Sequence, residues 1–168
     1  MLSFQIHNAS AFQQLSPQEE AALLNAARLL QAASLRAAPL PRLKGKNLGM
    51  LCGDGEATRE GRALFERAAA ELGAQVATIR PAFSNPGHPD EIAHAARMLG
   101  RFYDAVECLG LPPETVRQIG RHAGIPVYDG AAEASHPIAR LADRLDDRTS
   151  PSDNRRFVLQ ALLLGSIA

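Results

Sequence analysis

The stretch from Gly53 to Arg62 holds the densest set of residues that could do chemistry. Arg59 and Arg62 lie there beside Asp54, Glu56 and Glu60, so three acidic residues face two basic ones and the net charge is minus one. A neutral or cationic ligand suits such a loop better than a phosphate, which a nearby carboxylate repels at moderate dielectric. Glu60 also has a plain structural role, because an acidic residue in a first helical turn favours the helix. Cys52 and Cys108 have neither metal-ligand spacing nor the count of a disulfide framework. Each is read as a small buried apolar residue; a nucleophilic or redox role requires a depressed pKa. His136 opens a further predicted helix, where packing or capping can hold it.

The elements that must position these residues alternate. Ser16-Pro17-Gln18-Glu19 opens a first helix: Ser16 caps it, Pro17 suits the first position and Glu19 completes a capping box. Leu23, Leu24, Ala27, Leu30 and Ala33 follow at helical spacing. Pro39 and Pro41 end it. Strands are predicted at Asn47–Cys52, Gln75–Arg80, Tyr103–Leu109 and Ile125–Tyr128. Helices are predicted at Thr58–Leu72, Asp90–Arg101, from Pro112 and Pro113 to Gly124, and at His136–Asp146. A last helix is capped by Ser152 or Asp153 and runs to about Leu164. Four short strands between helices imply a single three-layer α/β domain, with a four-stranded parallel sheet flanked by helices. Ligands bind such sheets at the carboxyl ends of the strands. Arg59, Arg62, His136 and the two cysteines all fall near that edge.

The totals narrow the function classes. A chain of 168 residues is the size of one domain and can bury a core without staples. Lys+Arg and Asp+Glu are both 18, which argues against nucleic-acid binding and mildly favours self-association. No apolar run approaches a membrane span, and Met1 to Asn8 lacks the pattern of a signal peptide. A reduced, cytoplasmic protein is expected. Neither a cofactor nor a metal is expected.

Five segments, in order, carry a resemblance. Leu43-Lys44-Gly45-Lys46-Asn47-Leu48 resembles an "L-x-G-K-x-L" entry to a first strand. Phe65-Glu66, Ala68 and Leu72-Gly73 resemble "S-F-E-x-A…L-G". Ala96-Arg97-Met98-Leu99-Gly100-Arg101 with Tyr103-Asp104-Ala105 resembles "D-T-A-R-V-L-S-R…D-A". Ile125-Pro126-Val127-Tyr128-Asp129-Gly130 resembles "V-P-V-I-N-G", and His136-Pro137-Ile138 with Leu141-Ala142-Asp143 resembles "H-P-x-Q-x-L-A-D". Together they are similar to the N-terminal, carbamoyl-phosphate-binding domain of ornithine and aspartate carbamoyltransferases. Asp153-Asn154-Arg155-Arg156, then Val158, Gln160-Ala161 and Leu162, resembles that family's closing helix, "E-N-R…I-K-A-V-L". The resemblance implies a carbamoyl-phosphate-binding-like domain over 1–147 and a helix at 148–168 that packs back on it. It also implies that the amino-acid-binding domain, which precedes the closing helix in the family, is missing.

Family members hold the phosphate with Ser-Thr-Arg-Thr-Arg at a helix start, where N–H groups and arginine forks suit an oxyanion. Aligned on Phe65-Glu66, Thr58 stands at the Ser, Glu60 at the first Arg and Arg62 at the second. Leu109 stands where the family has Arg after "D-A", and Ala139 where it has the Gln of "H-P-x-Q". Asp90 and His94 replace a Glu and an Asp. Arg97 is kept, but inside a helix, where a structural ion pair is expected. The ligand-binding residues implied are Thr58, Arg59, Arg62, His136 and Pro137. No catalytic set is intact, although His136 could still donate to a carbonyl oxygen. The expected function is that of a degenerate, non-catalytic carbamoyltransferase-like module for assembly, binding or regulation. Its partners would be copies of itself in a homotrimer, or a full-length carbamoyltransferase, with a small anionic metabolite as a further candidate. The alternative is a small-ligand-binding protein or an enzyme of altered specificity using the residual pocket.

Overall fold

The computed structural model describes residues 14–38, 41–53, 58–81, 83 and 88–167, with the Thr58 side chain outside that set. Of the two prolines expected to end the first helix, Pro39 lies outside that set and Pro41 within it, and Asp54 and Glu56 of the charged stretch also lie outside. The elements run α1 (Pro17–Leu35), β1 (Asn47–Cys52), α2 (Thr58–Glu71), β2 (Gln75–Ile79), α3 (Pro89–Phe102), β3 (Ala105–Leu109), α4 (Pro113–Ala123), β4 (Val127–Asp129), a 3-10 helix (Pro137–Arg144) and α5 (Pro151–Ile167). All strand pairs are parallel, in the order β2-β1-β3-β4. This is the α/β fold expected from the alternation.

Strand pleating divides the core between two faces. Leu48 and Met50 of β1 point toward Leu24, Phe65 and Phe157, beneath α1, α2 and α5. Leu51 of β1, with Val106 and Cys108 of β3, points toward Ile92, Leu99, Val116 and Ile119 of α3 and α4. α3 and α4 pack closely because residue 100 is glycine: a Cβ there would collide with the Ala123 carbonyl oxygen.

The α1 start is the expected capping box. Ser16 Oγ accepts from the Glu19 N–H at 3.2 Å and the Ser16 N–H donates to Glu19 Oε2 at 2.7 Å. Other boundaries differ from expectation: β3 begins at Ala105 because Tyr103 caps the end of α3, and β4 is Val127–Asp129. Residues 137–144 wind as a 3-10 helix, closed at its two ends by i→i+3 bonds from the Ala139 N–H to the His136 carbonyl at 2.9 Å and from the Leu145 N–H to the Ala142 carbonyl at 3.1 Å. α5 is capped by Ser150, two residues before the nearer predicted cap, Ser152: Ser150 Oγ accepts from the Asp153 N–H at 3.1 Å and donates to Asp153 Oδ2 at 2.9 Å. The helix also extends to Ile167.

α5 is buried over Phe157–Leu163, which makes it a core element rather than a surface strap. Gln31 of α1 donates to Thr149 Oγ1 at 2.8 Å, and Asn154 Nδ2 donates to the Asp146 carbonyl at 3.1 Å. The Tyr128 hydroxyl of β4 bonds Ser166 Oγ. These buried polar groups are satisfied across α1, β4 and α5, which fixes the register of the closing helix.

Candidate functional site

The strand order reverses direction between β1 and β3, so the crevice at their carboxyl ends is where an open α/β sheet binds ligands. The two ends touch: the Gly53 N–H donates to the Leu109 carbonyl at 2.8 Å. A Cβ on Gly53 would collide with the Gly110 carbonyl oxygen, so glycine is required there.

α2 starts beside this junction, with Thr58 as its first residue. Arg59 and Arg62 are both exposed on its first turns, and neither forms an ion pair among the described residues. Arg62 lies near enough to Cys52 to favour its thiolate. Leu109, at the position that the resemblance gives to an arginine, is fully buried and packs under this turn.

Glu60 does not point at an anion site alone. Its Oε1 accepts from Arg155 Nη1 of α5 at 2.9 Å, and Arg155 Nη2 also donates to the Ala132 carbonyl at 3.1 Å. Glu60 is 78% exposed and Arg155 only 20%. Glu133 completes the cluster. A Cβ on Gly61 would stand 3.2 Å from Glu133 Oε1, so the missing side chain lets this carboxyl approach the first turns of α2. Burial raises the Glu133 pKa, Arg155 opposes that and Glu60 adds to it. The opening of α2 is therefore bordered by Glu60 and Glu133 with Arg155 paired to the first, while Arg59 and Arg62 stand exposed and without an ion pair among the described residues on the same turns.

Beneath them is a group that the sequence reading missed. Glu107 of β3 is fully buried, with Oε1 accepting from the Ala131 N–H at 3.1 Å and Oε2 from the Ala132 N–H at 2.9 Å. Desolvation pushes its pKa up to about 8, against the pull of those N–H groups. It pins the loop after β4 that carries Glu133. The available signal was a lone Glu inside an otherwise apolar strand, Ala105-Val106-Glu107-Cys108-Leu109.

His136 caps the 3-10 helix, its Nδ1 accepting from the Ile138 N–H at 3.2 Å. That bond puts the ring proton on Nε2. Burial lowers its pKa to about 4, so the ring is neutral at pH 7. Pro137 is exposed and Ala139 half-buried. Cys52 and Cys108 lie on opposite faces of the sheet, Cys52 toward α2 and Cys108 toward α3 and α4. Burial raises both thiol pKa values, the reverse of an activated nucleophile. Arg97 is exposed on α3, and the ion pair expected for it is not present among the described residues.

The chain and its fold match known proteins. Residues 7–146 match the family described as aspartate/ornithine carbamoyltransferase, carbamoyl-P binding domain. A catabolic ornithine carbamoyltransferase of Burkholderia mallei is 38% identical over 144 residues, which cover 84% of this chain and 42% of that relative. The ornithine carbamoyltransferase of Pyrococcus furiosus superposes with a TM-score of 0.71 at 24% identity, over 86% of this chain and 45% of that one. The Thermus thermophilus ornithine carbamoyltransferase gives 0.63 at 25% identity, over 86% and 47%. The chain spans less than half the length of these relatives. The chain belongs to the aspartate/ornithine carbamoyltransferase family, through its carbamoyl-P binding domain.

Proposed function

We propose that this chain is a non-catalytic carbamoyltransferase-like module that acts through assembly or regulation. One observation carries the reading: the start of α2, where an oxyanion would be gripped, is bordered by Glu60 and Glu133, with Arg155 committed to Glu60 at 2.9 Å. A phosphate entering there meets Glu60, whose charge Arg155 offsets, and Glu133, whose carboxylate repels it at close range. Leu109 in place of an arginine removes a further attraction. The passage from the 3-10 helix to α5 takes only residues 145–150, so α5 docks on α1 and α2 with no domain inserted before it. The proposed partners are further copies of the chain, in a trimer, or a full-length carbamoyltransferase. A reducing, cytoplasmic setting suits two free thiols on opposite faces of the sheet.

Two measurements test this. Calorimetric titration of the full chain with carbamoyl phosphate is expected to give no saturable heat; saturation below about 1 mM would overturn the filled-site argument. Light scattering, alone and with a full-length ornithine carbamoyltransferase, should give a homotrimer or a mixed complex. A monomer that ignores the enzyme removes the assembly role.

A second reading has its own support. The same pair of carboxyls, beside Arg155, suits a cationic or neutral small molecule. Arg59, Arg62 and His136 would then line a pocket of changed specificity. Saturable binding of an amine metabolite, abolished by Glu133→Gln, would favour this reading over the first.

A further inference from the structure

A second concavity opens at the other end of α2, about 20 Å away at 1.5 Å per helical residue. It has a volume of about 430 Å³ and lies between the carboxyl halves of α1 and α2 and the body of α5. That is the size of a site for a small organic molecule. Leu30, Leu72 and Phe157 give it an apolar floor, while Arg67, Glu71, Arg156 and Gln160 give it a polar wall.

The polar wall is rich in donors. Arg67 Nε lies 3.1 Å from Glu71 Oε1, and its Nη1 lies 3.7 Å from Asp153. Arg156 is 4% exposed, bonded to Asp153 through Nη1 and stacked on the Phe157 ring at 4.8 Å. Its Nε lies 2.8 Å from Glu71 Oε2, but the N–H points off that line and has no hydrogen-bond partner. Two guanidiniums carry ten N–H groups between them. Two carboxylates, one of which also accepts from Gln160 Nε2 at 3.0 Å, leave many of those donors without an acceptor in the wall. The four charges sum to zero, so one added negative charge meets no net repulsion.

The rim is set by the end of α1. Ala37 has φ +51° because it is the left-handed residue that closes that helix, with the Ala37 N–H donating to the Ser34 carbonyl and the Ala38 N–H to the Ala33 carbonyl, both at 3.0 Å.

We propose that this cavity binds a small monocarboxylate with an apolar body. The carboxylate accepts from Arg67 and Arg156, and the hydrocarbon lies on Leu30, Leu72 and Phe157. A dianion with no apolar part, such as inorganic phosphate, cannot use the floor, and an ammonium finds Glu71 and Asp153 already paired with Arg67, Arg156 and Gln160. Because α1, α2 and α5 all contribute, an occupant braces the docked closing helix.

The test uses the full chain labelled with nitrogen-15, titrated with benzoate, benzylamine and inorganic phosphate. Benzoate is expected to give saturable amide shifts at Leu30, Ser34, Leu72 and Gln160. Arg67→Gln, at an exposed side chain, should weaken that binding at least about tenfold, the loss of one charge-assisted bond. Ser34→Leu, at an exposed rim position, should abolish it by filling the mouth. Absence of saturation by about 10 mM benzoate would sink the proposal. So would an equal response to benzylamine or phosphate, or shifts that survive Ser34→Leu.

Discussion

Replacing Glu107 with glutamine isolates the energetic consequence of one buried acid. Burial lifts its pKa from 4.5 to about 8. Between those values the folded chain keeps a proton that the unfolded chain has released, so stability falls as pH rises through that window and the loss is complete above it. At ~1.4 kcal/mol per pKa unit the whole loss is ~5 kcal/mol, of which ~4 kcal/mol falls between about pH 5 and about pH 9. Gln cannot ionise, so Glu107→Gln escapes this loss. Its amide still offers one carbonyl to the Ala131 or Ala132 N–H, but turns an NH2 toward the other, at ~1–3 kcal/mol whatever the pH. Glu107→Gln should therefore be slightly less stable than the parent near pH 5 and more stable by ~2 kcal/mol near pH 9, the curves crossing between. Urea unfolding at three pH values, extrapolated linearly, measures this difference directly. A stability difference that changes by less than ~1 kcal/mol across that range would refute the assignment of Glu107 as a buried, proton-holding acid.

Other groups give independent tests. His136 has its pKa lowered to about 4 by burial, so stability should be lost as pH falls from about 6.5 toward 4; His136→Asn keeps a capping side chain and should flatten that acid limb in thermal melts. Ala37→Gly relieves the left-handed conformation and should stabilise by ~0.5–1 kcal/mol, a rise of a few degrees in melting temperature. Phe157→Ala empties a fully buried position that also carries the Arg156 stack, and should cost ~3–5 kcal/mol in urea unfolding.

The sequence made the elements legible because local signals agreed. The Ser16 box, the Pro113 start of α4 and the β-branched edge strand Gln75–Ile79 each required one conformation. The 3-10 winding of 137–144 was not legible, because Ile138, Leu141 and Ala142 suit a period of 3.0 or 3.6 equally until the sheet below selects one. The candidate site was half legible. Glu60 stood out as an acid where an anion should bind, but its partner lies 95 positions away on α5. Glu133 and Gly61 look unremarkable apart in sequence and become a pair only when the loop after β4 folds over α2. Glu107 could be seen as an oddity in its strand, but its two N–H partners, Ala131 and Ala132, carry no side-chain signal at all.

The burial of α5 also sets an order of events. On one face of the sheet α3 and α4 are joined through β3 alone, so they meet after a short loop closes. On the other, α1 must find α5, and the Gln31–Asn154 contact spans 123 positions. Closing so long a loop is entropically costly, and contacts of that separation form late. The α3–α4 face can therefore assemble first, leaving Leu23, Leu24 and Leu30 of α1 and the part of the opposite face that α2 does not cover exposed to solvent until α5 arrives. Such a half-covered sheet is the species most prone to associate with other chains. The rate at which α5 docks thus governs the yield of soluble protein, and pulse-labelled hydrogen exchange should find the amides of α3 and α4 protected before those of α5.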